Sequence, residues 1–274
     1  MTHNDSVRLR TGVAAIVLVG VLSAVGCGST PPPPADPSPS PAPTGPTDAW
    51  GQLAARVATS QDKRYTATYT LTSHGRPART VSVTIAADGS WLVTIPGGAL
   101  SGTVDVAVAD TRNGLYQCAL SPVPAAPDPT DDESADPDGT PPSPAPTGCV
   151  RVADSTGALP AAADPRVEYL FTTWLPILTD RDQAIAVNNA TMQGAKGQCF
   201  SIQPNSAALT PPVDAGIYCY DTDGTLTGAA LPMGTFLLAS GPGAAPPTVA
   251  LPAPVVPGTP VATASPTPPP DSDQ

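Results

Sequence analysis

Residues 65–72 read Tyr65-Thr66-Ala67-Thr68-Tyr69-Thr70-Leu71-Thr72. This alternation puts Tyr65, Ala67, Tyr69 and Leu71 on one face and four threonines on the other, the mark of a half-buried β-strand. Moving outward, Val81, Val83 and Ile85 repeat the period over residues 80–85, and Asp88-Gly89 supplies a hairpin turn before Trp91, Val93 and Ile95. Val104, Val106 and Val108 form another strand. Asn113-Gly114 turns the chain into residues 115–120, and residues 149–152 resume the sheet. The first half is thus an antiparallel meander of about six strands. Further strands are expected at 183–187, 199–203, 217–220, 225–230 and 235–239, with Asp223-Gly224 as the turn joining the middle pair.

Two helices interrupt the strands. Asp48 is placed to cap a helix whose Trp50, Leu53, Ala54 and Val57 share one face. Further on, Asp164 caps, Pro165 takes the first helical position, and Val167, Leu170, Phe171, Trp174 and Leu178 fall on one stripe. Pro176 removes a backbone donor and distorts the last turn. Helix, strands, helix, strands is an α+β order.

Proline sets the boundaries. Nine of the 38 prolines lie in residues 31–46, nine in 122–146 and eleven in 241–274, stretches without Lys or Arg. Such segments lack the apolar surface needed to offset ordering entropy and are expected to be extended linkers or tails. Residues 47–240 form a single α+β domain, interrupted by the acidic, proline-rich loop 122–146 and followed by a proline-rich C-terminal tail, 241–274. The loop carries Asp128, Asp131, Asp132, Glu133, Asp136 and Asp138; a solvated linker is the simpler reading of that cluster, ahead of cation collection. The chain's formal charge of −11 excludes a nucleic-acid binder, which needs a basic face.

At the N-terminus, Arg8 and Arg10 precede the uncharged run Val13–Val25, which suits the core of a signal peptide spanning residues 1–26 and is too short for a permanent membrane helix. The run ends in Ala24-Val25-Gly26-Cys27, which resembles the bacterial lipobox, with Ala24 where a branched aliphatic is usual. That resemblance implies lipidation (palmitate or a similar acyl group) at Cys27, a membrane anchor on the extracytoplasmic face of the cell membrane, and a stalk over residues 27–46.

Removing Cys27 leaves Cys118, Cys149, Cys199 and Cys219, an even set that points to disulfides in an exported chain. Of three pairings, Cys118–Cys149 brackets the acidic loop and Cys199–Cys219 joins neighbouring strands, so these two are favoured. No Cys-x-x-Cys spacing occurs and His74 is the only histidine after the signal segment, so neither a metal site nor any other cofactor is expected.

The order of elements resembles the LolA/LppX group of bacterial lipid carriers. The stretches Tyr65–Leu71 and Gly216–Gly228 are similar to uncharacterised actinobacterial lipoproteins of that kind. The resemblance covers about residues 47–240. It implies a strongly curved antiparallel sheet, a half-barrel, with the N-terminal and inserted helices on its concave side around acyl chains. The acidic loop and the disulfides depart from the family pattern.

Catalytic signatures are sparse. His74 sits in a turn beside Gly75 and Pro77, no Gly-x-Ser-x-Gly elbow occurs, and Ser60-Gln61-Asp62-Lys63 lacks companion motifs. Asp221-Thr222-Asp223-Gly224 begins like a calcium loop, but Pro232 stands where the bidentate Glu belongs. Asn189-Ala190-Thr191 matches a glycosylation sequon. A non-enzymatic, monomeric chain is therefore expected. Tyr69, Val83, Trp91, Val106, Val167, Leu170, Phe171 and Trp174 form the candidate ligand cavity; the same inward faces equally suit a solid core, and periodicity does not separate the two. The alternative to a lipid carrier is a structural or interaction module displayed on the cell envelope.

Overall fold

The computed structural model describes residues 48–122, 147–155, 157–205 and 211–264. The signal segment, Cys27, the stalk and residues 123–146 of the acidic loop lie outside them.

Eleven strands form one antiparallel sheet that does not close, accompanied by two α-helices and two disulfides. The strands are β1 (Tyr65–Thr72), β2 (Arg79–Ile85), β3 (Trp91–Ala99), β4 (Val104–Thr111), β5 (Gly114–Ala119), β6 (Gly148–Ala153), β7 (Ile185–Ala190), β8 (Gln198–Pro204), β9 (Gly216–Tyr220), β10 (Leu226–Leu231) and β11 (Gly234–Gly243). Their order across the sheet is β6-β5-β4-β3-β2-β1-β11-β10-β9-β8-β7. The chain starts at the centre with β1, winds outward to β6, passes to the opposite edge at β7, and winds back until β11 pairs with β1. The alternation of residues 65–72 survives intact: Tyr65, Ala67, Tyr69 and Leu71 are buried, and three of the four threonines are half-covered. Gly89 and Gly224 take positive φ values of 88° and 79° in the expected turns, a conformation open to glycine at no steric cost.

Helix α1 (Ala49–Gln61) starts where the sequence sets it, with the Asp48 carboxylate accepting from Gly51 N at 2.7 Å. The second helix differs from expectation. Instead of one helix from Pro165, the chain forms a 3₁₀ turn over Glu168–Phe171 and then the short helix α2 (Trp174–Thr179). The break falls at Thr172, with φ −138° and ψ −88°. Proline in a helix clashes with the carbonyl four residues back, and for Pro176 that residue is Thr172. In α2 itself Pro176 occupies the first turn, where a missing N–H costs nothing. Leu53 and Val57 of α1, Trp174 and Leu178 of α2, and the Tyr69 face of the sheet share one apolar core.

The tail is the second departure. Residues 244–264 form a strap rather than a free end. Its carbonyls accept from the sheet: Ala87 N donates to Pro246 O (2.9 Å), Asp88 N to Pro247 O (3.1 Å) and Cys149 N to Pro254 O (2.8 Å). Leu251 and Ala253 pack against Ala107, Tyr116, Cys118 and Cys149 on the face opposite the helices. At the outer strand Val256 N donates to Cys149 O at 2.9 Å, so the strap covers part of the β6 edge. Proline density argued for disorder because it lowers apolar content; here it also pre-sets extended φ values, which reduces the entropy lost on docking, while every proline carbonyl stays free to accept.

Both disulfides follow the favoured pairing. Cys118 lies opposite Cys149 across β5 and β6, and Cys199 opposite Cys219 across β8 and β9, each with Cα atoms 3.9 Å apart.

Candidate functional site

The eight residues expected to line a cavity come together, but seven of them fill the space. Tyr69, Val83, Val106, Val167, Leu170, Phe171 and Trp174 are all at most 5% exposed within the one core. Tyr69 and Phe171 meet with ring centroids 5.0 Å apart, and Trp174 packs edge-on against Tyr218 at 6.2 Å. Trp91 alone is different. It lies at the start of β3, half-buried, and walls two neighbouring cavities.

The first cavity has a volume of about 380 Å³. Its floor is Trp91, Val108, Asp110 and Leu115, from three adjacent strands. Register explains the grouping: Trp91 is the partner of Asp110, and Asp110 the partner of Leu115. The roof comes from residues 155–159 and the 3₁₀ turn, with Leu159, Glu168, Tyr169 and Thr172 facing the space. A second cavity, about 240 Å³, lies beyond Trp91 and Thr172 and is lined by Ile85, Phe171, Leu175 and Arg64 among others.

Gln117 of β5 ties sheet, roof and strap together. Its amide nitrogen donates to Ala163 O (2.7 Å) and Val261 O (2.9 Å), and its carbonyl accepts from Val261 N (2.6 Å). Thr263 N donates to Ala162 O at 2.8 Å, so the strap's last described residues grip the segment that leads into the roof.

Two carboxyl groups line the first cavity. Glu168 is 2% exposed, and neither of its oxygens has a hydrogen-bond partner in the protein. Burial, reinforced by the nearby charge of Asp164, pushes its carboxyl well above the usual range. Asp110 also has an unpartnered buried oxygen, Oδ1, and burial pushes its carboxyl up to about 6, against a lowering hydrogen bond from the Thr111 backbone. The one neighbouring cation is engaged elsewhere: Arg166 donates to Asp214 Oδ1 at 2.9 Å and lies over the Tyr169 and Trp174 rings at 5.7 and 5.8 Å. Tyr169 donates its hydroxyl proton to Asp164.

Neither carboxyl was among the candidates from sequence, though one carried a signal. Asp110 continues the inward row Val104-Val106-Val108, so strand alternation alone places a carboxylate on the apolar face. Glu168 was hidden by the period: on an α-helix it falls beside the apolar stripe, whereas in a 3₁₀ turn residues three apart eclipse, which sets Glu168 in line with Phe171. Among the described residues, no group of three or more His, Cys, Asp or Glu is placed to hold a metal ion. The chain matches no protein-family model, no curated protein and no solved structure.

Proposed function

We propose that this protein is a lipid-anchored protein of the extracytoplasmic face of the cell membrane that binds a hydrophobic ligand and carries out no covalent step. Cys27 bears the anchor, and residues 31–46 act as a stalk of about 50 Å in polyproline II geometry. The sheet is read as a strongly bent half-barrel with the helices on its concave side, in the manner of the LolA/LppX carriers. The observation that supports ligand binding is the cavity of about 380 Å³ beside Trp91, apolar along Trp91, Val108, Leu115 and Leu159. Its size falls within the range of small-molecule sites.

The experiment is native mass spectrometry of the full chain purified from its own cells in mild detergent. A copurifying apolar molecule, lost when Leu115→Trp and Leu159→Trp fill the space, is the expected result; a bare protein mass would end the carrier reading. Anchoring has its own test. Cys27→Ala releases the protein into a detergent-free wash if the lipobox reading holds, and continued retention counts against it.

A second reading is favoured by the core itself. Seven of the eight residues expected around a ligand are packed against one another, which suits a rigid display module recognising a partner at the envelope. The same mass measurement separates the two.

A further inference from the structure

We infer that the cavity beside Trp91 selects an apolar primary amine, whose ammonium group docks between Glu168 and Asp110. This rests on the ligand-binding reading above and narrows its chemistry. Three carboxyl oxygens, Glu168 Oε1 and Oε2 and Asp110 Oδ1, are buried without a partner and belong to residues lining one space. An unsatisfied buried acceptor is costly, and two such residues around one cavity call for a donor from outside the protein. An ammonium carries three N–H donors, one for each oxygen, whereas a carboxylate or phosphate ligand would add acceptors and like charge.

The walls fit the remainder of such a molecule. Trp91 and Tyr169 offer aromatic surfaces near the head group, and Val108, Leu115 and Leu159 accept an alkyl or aryl body. The charged groups around Glu168 agree. Asp164 and Asp110 are negative, and Arg166 is paired with Asp214 rather than with Glu168. Two carboxyls among apolar walls are too few oxygens for calcium, which takes six to eight. Docking an ammonium favours the ionised Glu168, so the proton held on its carboxyl leaves to solvent as the amine binds.

Isothermal titration of the full chain with n-hexylamine, hexan-1-ol and hexanoate tests this. Hexylamine is expected to bind most tightly, with proton release that shows as a dependence of the apparent heat on the buffer's ionisation enthalpy. Glu168→Gln should weaken hexylamine about ten-fold or more, abolish the proton release and leave hexanol unchanged. Asp110→Asn should weaken hexylamine in the same direction and serves as the second variant if the first does not fold. Equal binding of hexanol or hexanoate, or hexylamine affinity untouched by both substitutions, would overturn the amine assignment while leaving an apolar-ligand site. Failure of all three probes to bind would overturn both readings.

Discussion

The two ends of the sheet carry the same staple and differ in what fills the space above them. At the β7 end, the inward positions are aromatic: Phe200, Tyr218 and Tyr220, with Phe236 nearer the centre, all fully buried and meeting α1, α2 and Trp174. At the β6 end the inward rows of β3, β4 and β5 are Val93, Ile95, Val104, Val106, Val108 and Leu115. These shorter side chains make a shallower floor, and the roof above them is a 3₁₀ turn with irregular chain rather than a regular helix. One half is therefore solid and the other hollow. Side-chain volume, set strand by strand, decides where a ligand can enter, while the disulfides and the strap keep the hollow half from collapsing or fraying.

Four substitutions sharpen that contrast. Trp174→Ala removes the largest fully buried side chain from the solid half and is expected to cost about 3–5 kcal/mol in denaturant unfolding. Trp91→Ala, at the cavity wall, should cost clearly less, and equal losses would mean that the two halves are packed alike. Opening either disulfide by a Cys→Ala pair comes next. The closed segments, with sequence separations of 31 and 20, give about 3–4 kcal/mol each by loop-closure entropy, with the Cys118–Cys149 bridge slightly the larger. A much larger loss at Cys118–Cys149 would show that the strap depends on it. Gln117→Ala strands the Val261 N–H and two carbonyls, and about 1–3 kcal/mol is expected from thermal melts, together with faster hydrogen exchange over residues 158–163.

The smallest effect has the opposite sign. The Glu168 carboxyl is raised in the folded protein, so the native state keeps its proton at pH values where the unfolded chain has lost it. That contribution is full below the unfolded value of about 4.3 and is lost as pH rises through the folded value. Glu168→Gln removes this loss. It should melt higher than the parent at about pH 8 and show no such advantage at about pH 4, as measured by calorimetry. A variant that melts lower at both pH values would mean that Glu168 is bonded within the protein. Gaining stability while losing hexylamine would mark the residue as held for binding rather than for folding.

Much of this was legible in the sequence because strands announce themselves by a period of two. Residues 65–72 gave the burial pattern directly, and Asp88-Gly89, Asn113-Gly114 and Asp223-Gly224 fixed the turns. Cysteine spacing gave both bridges. The cavity was not legible, because alternation identifies which side chains point inward and says nothing about whether the volume they enclose is filled. Tyr69 and Phe171 read as lining residues and turned out to touch. The broken helix required knowing that Pro176 would act at Thr172, and only that break aligns Glu168 with the interior. The strap was hidden for a different reason: its hold on the sheet comes from backbone carbonyls, which composition does not record.

The most direct test is a crystal structure of the full chain purified from its own cells without denaturation. The account predicts a bound molecule in the space between Trp91, Val108 and Leu115 on one side and Leu159 and Glu168 on the other. Leu159 and Tyr169 collapsed onto Val108 and Leu115, leaving no room between sheet and roof, would contradict it.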